Sequence, residues 1–129
     1  MARQRVHTEK GVYQLHMVLD EPRTIRIGKL GTFLFPAGRY VYTGSAMNGL
    51  KGRIERHRKR KKRLHWHIDY FLQYARITDV KVNMTTRRLE CAWNKATERL
   101  PGANHVAPGF GSSDCQCTSH LVHVGTARR

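Results

Sequence analysis

Arg53, His57 and Glu90 of the 129-residue sequence are of types and at positions that could serve a site for an anion or a metal. Arg53 and His57 stand four residues apart, so on a helix both fall on the stripe formed with Leu50 and Ile54, whereas Lys51, Glu55 and Lys59 face water. A guanidinium on an inward stripe must be paired or must serve a site, because an unpaired buried charge is costly, unless the side chain snorkels its head back to water. Glu90 lies in the first turn of a later amphipathic segment at the edge of its apolar stripe, where it can serve as a helix-dipole partner or hold a hard cation such as Mg²⁺ or Mn²⁺ while waters and phosphate oxygens complete the shell. Tyr13 and Tyr42 lie on two strand-like stretches. In an antiparallel pair the start of one strand lies beside the end of the other, so both hydroxyls can meet at one sheet edge.

Around these stand residues suited to binding. The run RHRKRKKR, 56–63, places seven cations and His57 in eight positions. Arg56, Arg58, Lys59, Arg60, Lys61, Lys62 and Arg63 are therefore expected to contact nucleic-acid phosphates, supplying affinity but no chemistry; the plainer alternatives are a solvated helix face or a targeting signal. His65 and His67 follow in LHWHID and join the same expected surface, with simple packing around Trp66 as the alternative. Ser45, in YVYTGSA (40–46), follows a glycine that leaves room for a phosphate backbone. Cys115, Cys117 and His120 have a zinc-like C-x-C-x₂-H spacing, but a structural zinc takes four ligands, and His65 or His67 would have to complete the set; thiols packed in a loop are the favoured reading.

The elements that must position these residues are legible as periodicities. GVYQLHMVL (11–19) alternates as a half-buried strand, TIRIGKLGTFLF reads as a hairpin, and Pro36-Ala37-Gly38 turns the chain into a strand over 39–43. Helical spacing begins at Leu50 and runs to about Arg63, and a second helix is expected over 65–75. ITDVKVNM (77–84) alternates again. A third helix is expected over 88–100, with Leu89, Ala92, Trp93, Ala96 and Leu100 on its core stripe, and a short strand over 120–124 closes the chain. The expected architecture is α+β: a small, mostly antiparallel sheet flanked by about three helices, as one domain over residues 1–129.

Composition narrows the partner. Lys and Arg number 24 against 9 Asp and Glu, a formal charge of +15, which favours a polyanion held by long-range attraction and counterion release. No run approaches the ~20 apolar residues of a membrane span and the N-terminus lacks a signal peptide's apolar stretch, so a cytoplasmic protein with reduced thiols is expected.

Gly11-Val12-Tyr13 on the first strand and Tyr42-Thr43-Gly44 on a later one, followed by Arg53, His57 and Glu90 in that order, resemble the GIY-YIG nuclease superfamily. The strings LGTFLFPAGRYVYTGSA, LHWHIDYFL, RRLEC and PGFGSSDCQCTSHL are similar to its Uri-type branch, long catalogued as a domain of unknown function. The resemblance implies a metal-dependent DNA endonuclease, connected with DNA repair or recombination, in which a tyrosine hydroxyl helps to activate water, Glu90 holds Mg²⁺ or Mn²⁺ and Arg53 stabilises the phosphoryl oxygens. Tyr13, Tyr42 and His57 all remain candidates for the base. DNA as partner comes from the resemblance, and the residues alone admit RNA equally. The competing reading is a non-catalytic basic module that binds nucleic acid.

Overall fold

The computed structural model describes residues 9–112 and 117–126. Four antiparallel strands form the central sheet in the order β5–β1–β4–β6: β1 (Gly11–Leu19), β4 (Gly38–Ala46), β5 (Arg76–Met84) and β6 (Leu121–Gly125). Strands β2 (Arg23–Ile27) and β3 (Gly31–Phe35) form a separate two-stranded sheet. Helices α1 (Leu50–Arg58), α2 (His67–Phe71) and α3 (Glu90–Glu98) complete an α+β fold. Among the described residues no helix is long and apolar enough to cross a membrane.

Alternation gives the sheet two unlike faces. Tyr13, Leu15, Met17 and Leu19 of β1 join Tyr40 and Tyr42 of β4 in an aromatic core completed by Phe35, Phe71 and Phe110. Each such side chain contributes ~1.5–3 kcal/mol on burial, more than the ~1 kcal/mol of a typical hydrogen bond, so this face fixes the strand register. The opposite face carries Gln14, whose amide donates to Thr43 Oγ1 at 3.1 Å and Thr97 Oγ1 at 2.9 Å, linking the sheet to α3.

Four expectations are corrected. β4 does not stop at Thr43 but runs through Gly44 and Ser45 to Ala46, paired residue for residue with β1. Helix α1 ends at Arg58 instead of about Arg63: Lys62 turns back to donate to the carbonyls of Arg56 and His57 at 3.1 and 2.8 Å, satisfying acceptors that a helix end leaves open. The second helix is shortened to α2, with hydrogen-bonded turns carrying the chain on to Ala75. Helix α3 faces the other way round: Asn94 and Thr97 are its buried residues, whereas Ala92, Ala96 and Leu100 of the expected core stripe are exposed. The Asn94 amide donates to Ser119 O at 2.7 Å, so α3 is seated by polar contacts that periodicity assigns to water.

Candidate active site

The register of β1 against β4 pairs Tyr13 with Gly44 and Leu15 with Tyr42, so the two tyrosines are diagonal neighbours on the core face, their rings 6.4 Å apart. A β-carbon on Gly44 would lie 2.7 Å from the Tyr13 hydroxyl, and one on Gly11 would collide with the Asn83 carbonyl of β5. These two glycines are therefore required by close packing beside the tyrosines.

Helix α1 places Arg53 and His57 over the same edge. The Tyr13 hydroxyl donates to His57 Nε2 at 2.6 Å, in a contact buried from solvent. Arg53, which can only donate, faces the same phenol oxygen. Burial raises the Tyr13 phenol well above its ordinary range, and Arg53 acts against that rise. Burial lowers the His57 imidazole to about 3; Asp69 opposes this, and Lys62, Arg53 and Arg56 reinforce it. The shared proton accordingly rests on Tyr13. His57 Nδ1 is buried with no hydrogen-bond partner among the described residues.

A cleft of about 450 Å³ opens in front of this pair, lined by Tyr42, Ser45, Arg53, Arg88, Glu90 and Gly111 together with His65, Trp66, His67 and Cys91. Tyr42 is held firmly protonated, first by burial and then by the nearby Tyr13 and Glu90. Arg53 is held from two sides, donating to Ser45 O at 3.0 Å and stacking 4.3 Å from the Trp66 ring. No carboxylate among the described residues forms an ion pair with it. Glu90, half-buried in the first turn of α3, has Oε2 at 3.1 Å from His120 Nδ1. It is the carboxylate in the cleft lining, and a hard cation with one protein oxygen and a shell of water and phosphate oxygens fits that donor set.

The expected basic surface divides. Arg56 forms two 2.9 Å bonds to the buried Asp69 and a third, at 3.0 Å, to Arg63 O. Asp69 also accepts from the backbone N–H groups of His65 and Trp66, both at 2.8 Å. Burial raises its carboxyl, but Arg56 and those N–H groups outweigh burial and hold it below the usual range. Arg56 and Lys62 are thus occupied within the fold. Arg58, Lys59, Arg60, Lys61 and Arg63 are exposed. His65 and His67 line the cleft, and His67 Nδ1 accepts the Gly111 N–H at 2.9 Å.

The family model described as "Domain of unknown function DUF123" matches residues 12–129. The chain belongs to this family. No curated protein and no solved structure matches the sequence. The stretch shared with the family includes every described residue of the cleft and the Tyr13–His57 pair behind it.

Sequence reasoning missed Arg88, Trp66 and Cys91 as cleft residues. Trp66 carried a signal: an aromatic flanked by histidines after a basic run suits cation stacking. Cys91 carried none, because its neighbours in space come from the far end of the chain. The zinc-like grouping is also rearranged: Cys115 lies outside the described residues, His67 is engaged with Gly111, and Cys117 and His120 approach Cys91.

Proposed function

We propose that the chain is a GIY-YIG-type endonuclease, hydrolysing phosphodiester bonds in DNA with the help of Mg²⁺ or Mn²⁺. The observation that carries this reading is the 2.6 Å Tyr13–His57 hydrogen bond lying behind a cleft that holds Arg53 and Glu90. Arg53 would bind the non-bridging phosphoryl oxygens, which gain charge as water attacks. Glu90 would hold the cation, and a bound divalent ion supplies Lewis-acid polarisation of the phosphate. Tyr13 is the better candidate for moving the water's proton. Tyr13 is buried behind the lining, so bound substrate would have to admit water to its oxygen; that oxygen could then accept the proton while its own passes to His57 Nε2, and Arg53 already favours the ionised form. Tyr42, held protonated in the cleft lining, suits donation to the departing oxygen.

The purified chain is to be incubated with Mg²⁺ or Mn²⁺ and a panel of labelled DNAs: single strands, flaps, junctions and damaged duplexes. Cleavage of at least one substrate is expected. Tyr13→Phe should slow it by about 10²–10⁴, the usual size of a lost general acid or base, and Glu90→Ala should abolish metal-dependent cutting. Equal cutting by all three proteins would reject the assignment. Salt-sensitive binding with no cutting under either metal would favour a non-catalytic module instead, a reading to which the engagement of Glu90 by His120 lends support.

A further inference from the structure

Beside the Glu90 edge of the cleft, three side chains from distant parts of the chain converge. Cys91 comes from the first turn of α3, while Cys117 and His120 come from the segment entering β6. Their sulfur and ring-nitrogen atoms all lie within 4.8 Å of one another, with Cys91 Sγ at 4.0 Å from His120 Nε2. A tetrahedral zinc-type ion, with sulfur at ~2.3 Å and nitrogen at ~2.0–2.1 Å, separates neighbouring ligand atoms by roughly 3.6–3.8 Å. Side-chain shifts of about 1 Å or less would therefore close the set.

The tautomer of His120 is set by its surroundings. Its Nδ1 faces two groups that can only accept, Thr43 O at 2.9 Å and Glu90 Oε2 at 3.1 Å, so the ring hydrogen belongs on Nδ1. The lone pair then sits on Nε2, on the Cys91 side, in the form a metal requires. His120 is fully buried, so its ring cannot swing away from this orientation without displacing the packing around it.

We propose that Cys91, Cys117 and His120 bind one soft or borderline divalent ion of the zinc class, with Glu90 as the carboxylate that positions His120. Two thiols and an imidazole discriminate for such an ion against Mg²⁺ or Ca²⁺. A carboxylate accepting from the far nitrogen of a ligating histidine is the usual outer support of such a centre. Cys91 also lines the cleft, which gives the ion a way in. On binding, each thiol loses its proton to solvent as a sulfur–metal bond forms, and no electron is transferred. Water fills the remaining position. The ion would clamp the start of α3 to the entry of β6 and so hold Glu90 at the cleft rim. The inference is independent of nuclease activity, because its readouts are metal content and thiol chemistry.

The full chain, freed of metal with a chelator under reducing conditions, is to be titrated with Co²⁺ as a spectroscopic substitute for Zn²⁺. One equivalent should bind with a thiolate-to-cobalt charge-transfer band and tetrahedral ligand-field bands, both erased by Zn²⁺. Cys91→Ser should lose the charge-transfer intensity of one thiolate, and Glu90→Gln should weaken binding by about 10–100-fold while keeping the spectrum. If a variant fails to fold, alkylation of the unaltered protein decides: Zn²⁺ should protect Cys91 and Cys117 together. Bound cobalt without a charge-transfer band, equal alkylation with and without Zn²⁺, or a Cys91–Cys117 disulfide forming as readily with Zn²⁺ as without it would each overturn the proposal.

Discussion

Trp66 carries the same chemical group twice, under opposite conditions. Arg53 and Arg56 lie one turn apart on α1, and each guanidinium stacks 4.3 Å from the indole ring. In one case, Arg56 meets Asp69 through two 2.9 Å bonds and is neutralised within the fold. In the other, Arg53 has the ring, one backbone carbonyl and the Tyr13 phenol oxygen for support, and its charge faces the cleft. The aromatic ring thus orients both cations, and the presence or absence of a carboxylate decides whether each holds the structure together or remains available to an anion.

The largest test of that contrast is stability. Asp69→Asn should cost about 3–5 kcal/mol in urea denaturation, because it leaves Arg56 without its counter-charge and weakens the caps on His65 and Trp66. Arg53→Ala should cost only about 2–3 kcal/mol, for one stacking contact and its hydrogen bonds to Ser45 O and the Tyr13 phenol, yet reduce cleavage by about 10²–10³. Comparable stability losses for the two variants would break the comparison.

A smaller effect follows from pH. His57 has a folded value near 3 against an ordinary 6.5, so its contribution is complete above pH 6.5 and is lost progressively as pH falls toward 3. Asp69, also depressed, contributes fully above its ordinary 3.8 and loses that contribution only as pH falls further, through its folded value. In both cases the unfolded chain binds more protons, which makes acid destabilising. Denaturation midpoints should fall from pH 6.5 downward, by at most about 1.4 kcal/mol per pH unit for each titrating proton. In His57→Gln the slope between pH 6 and 4 should flatten; an unchanged slope would show that another group governs it.

The smallest effect concerns the exposed cations. Replacing Arg58, Lys59, Arg60, Lys61 or Arg63 singly by Gln should leave stability within about 0.5 kcal/mol. Each that meets a phosphate should reduce the salt dependence of duplex binding by ~0.9 in log–log slope. Unchanged slopes for all five would place the nucleic acid on another surface.

Much of this arrangement could be read from residue order. Alternation located β1, the β2–β3 hairpin and β4, which send residues into the core, and β5, an edge strand whose Ile77 and Val80 are only partly buried against it, and the helical stripe placed Arg53 and His57 toward the sheet. Two things escaped for physical reasons. Helix α3 buries Asn94 and Thr97, which satisfy Ser119 and Gln14, and no hydrophobic period reports an interface made of hydrogen bonds. The pairing of Arg56 with Asp69 and the meeting of Cys91 with His120 depend on elements far apart in sequence, so spacing rules do not reach them.

The extension of β4 through Gly44 to Ala46 bears on regulation. Because Tyr42 and Tyr13 are held by one continuous register, a slip of a single residue would turn Tyr42 to the α3 face and bring Val41 or Thr43 into the aromatic core in its place. Strand pairing itself thus sets both tyrosines, and an effector that adjusts the cleft must act through the other residues of its lining, Glu90 among them.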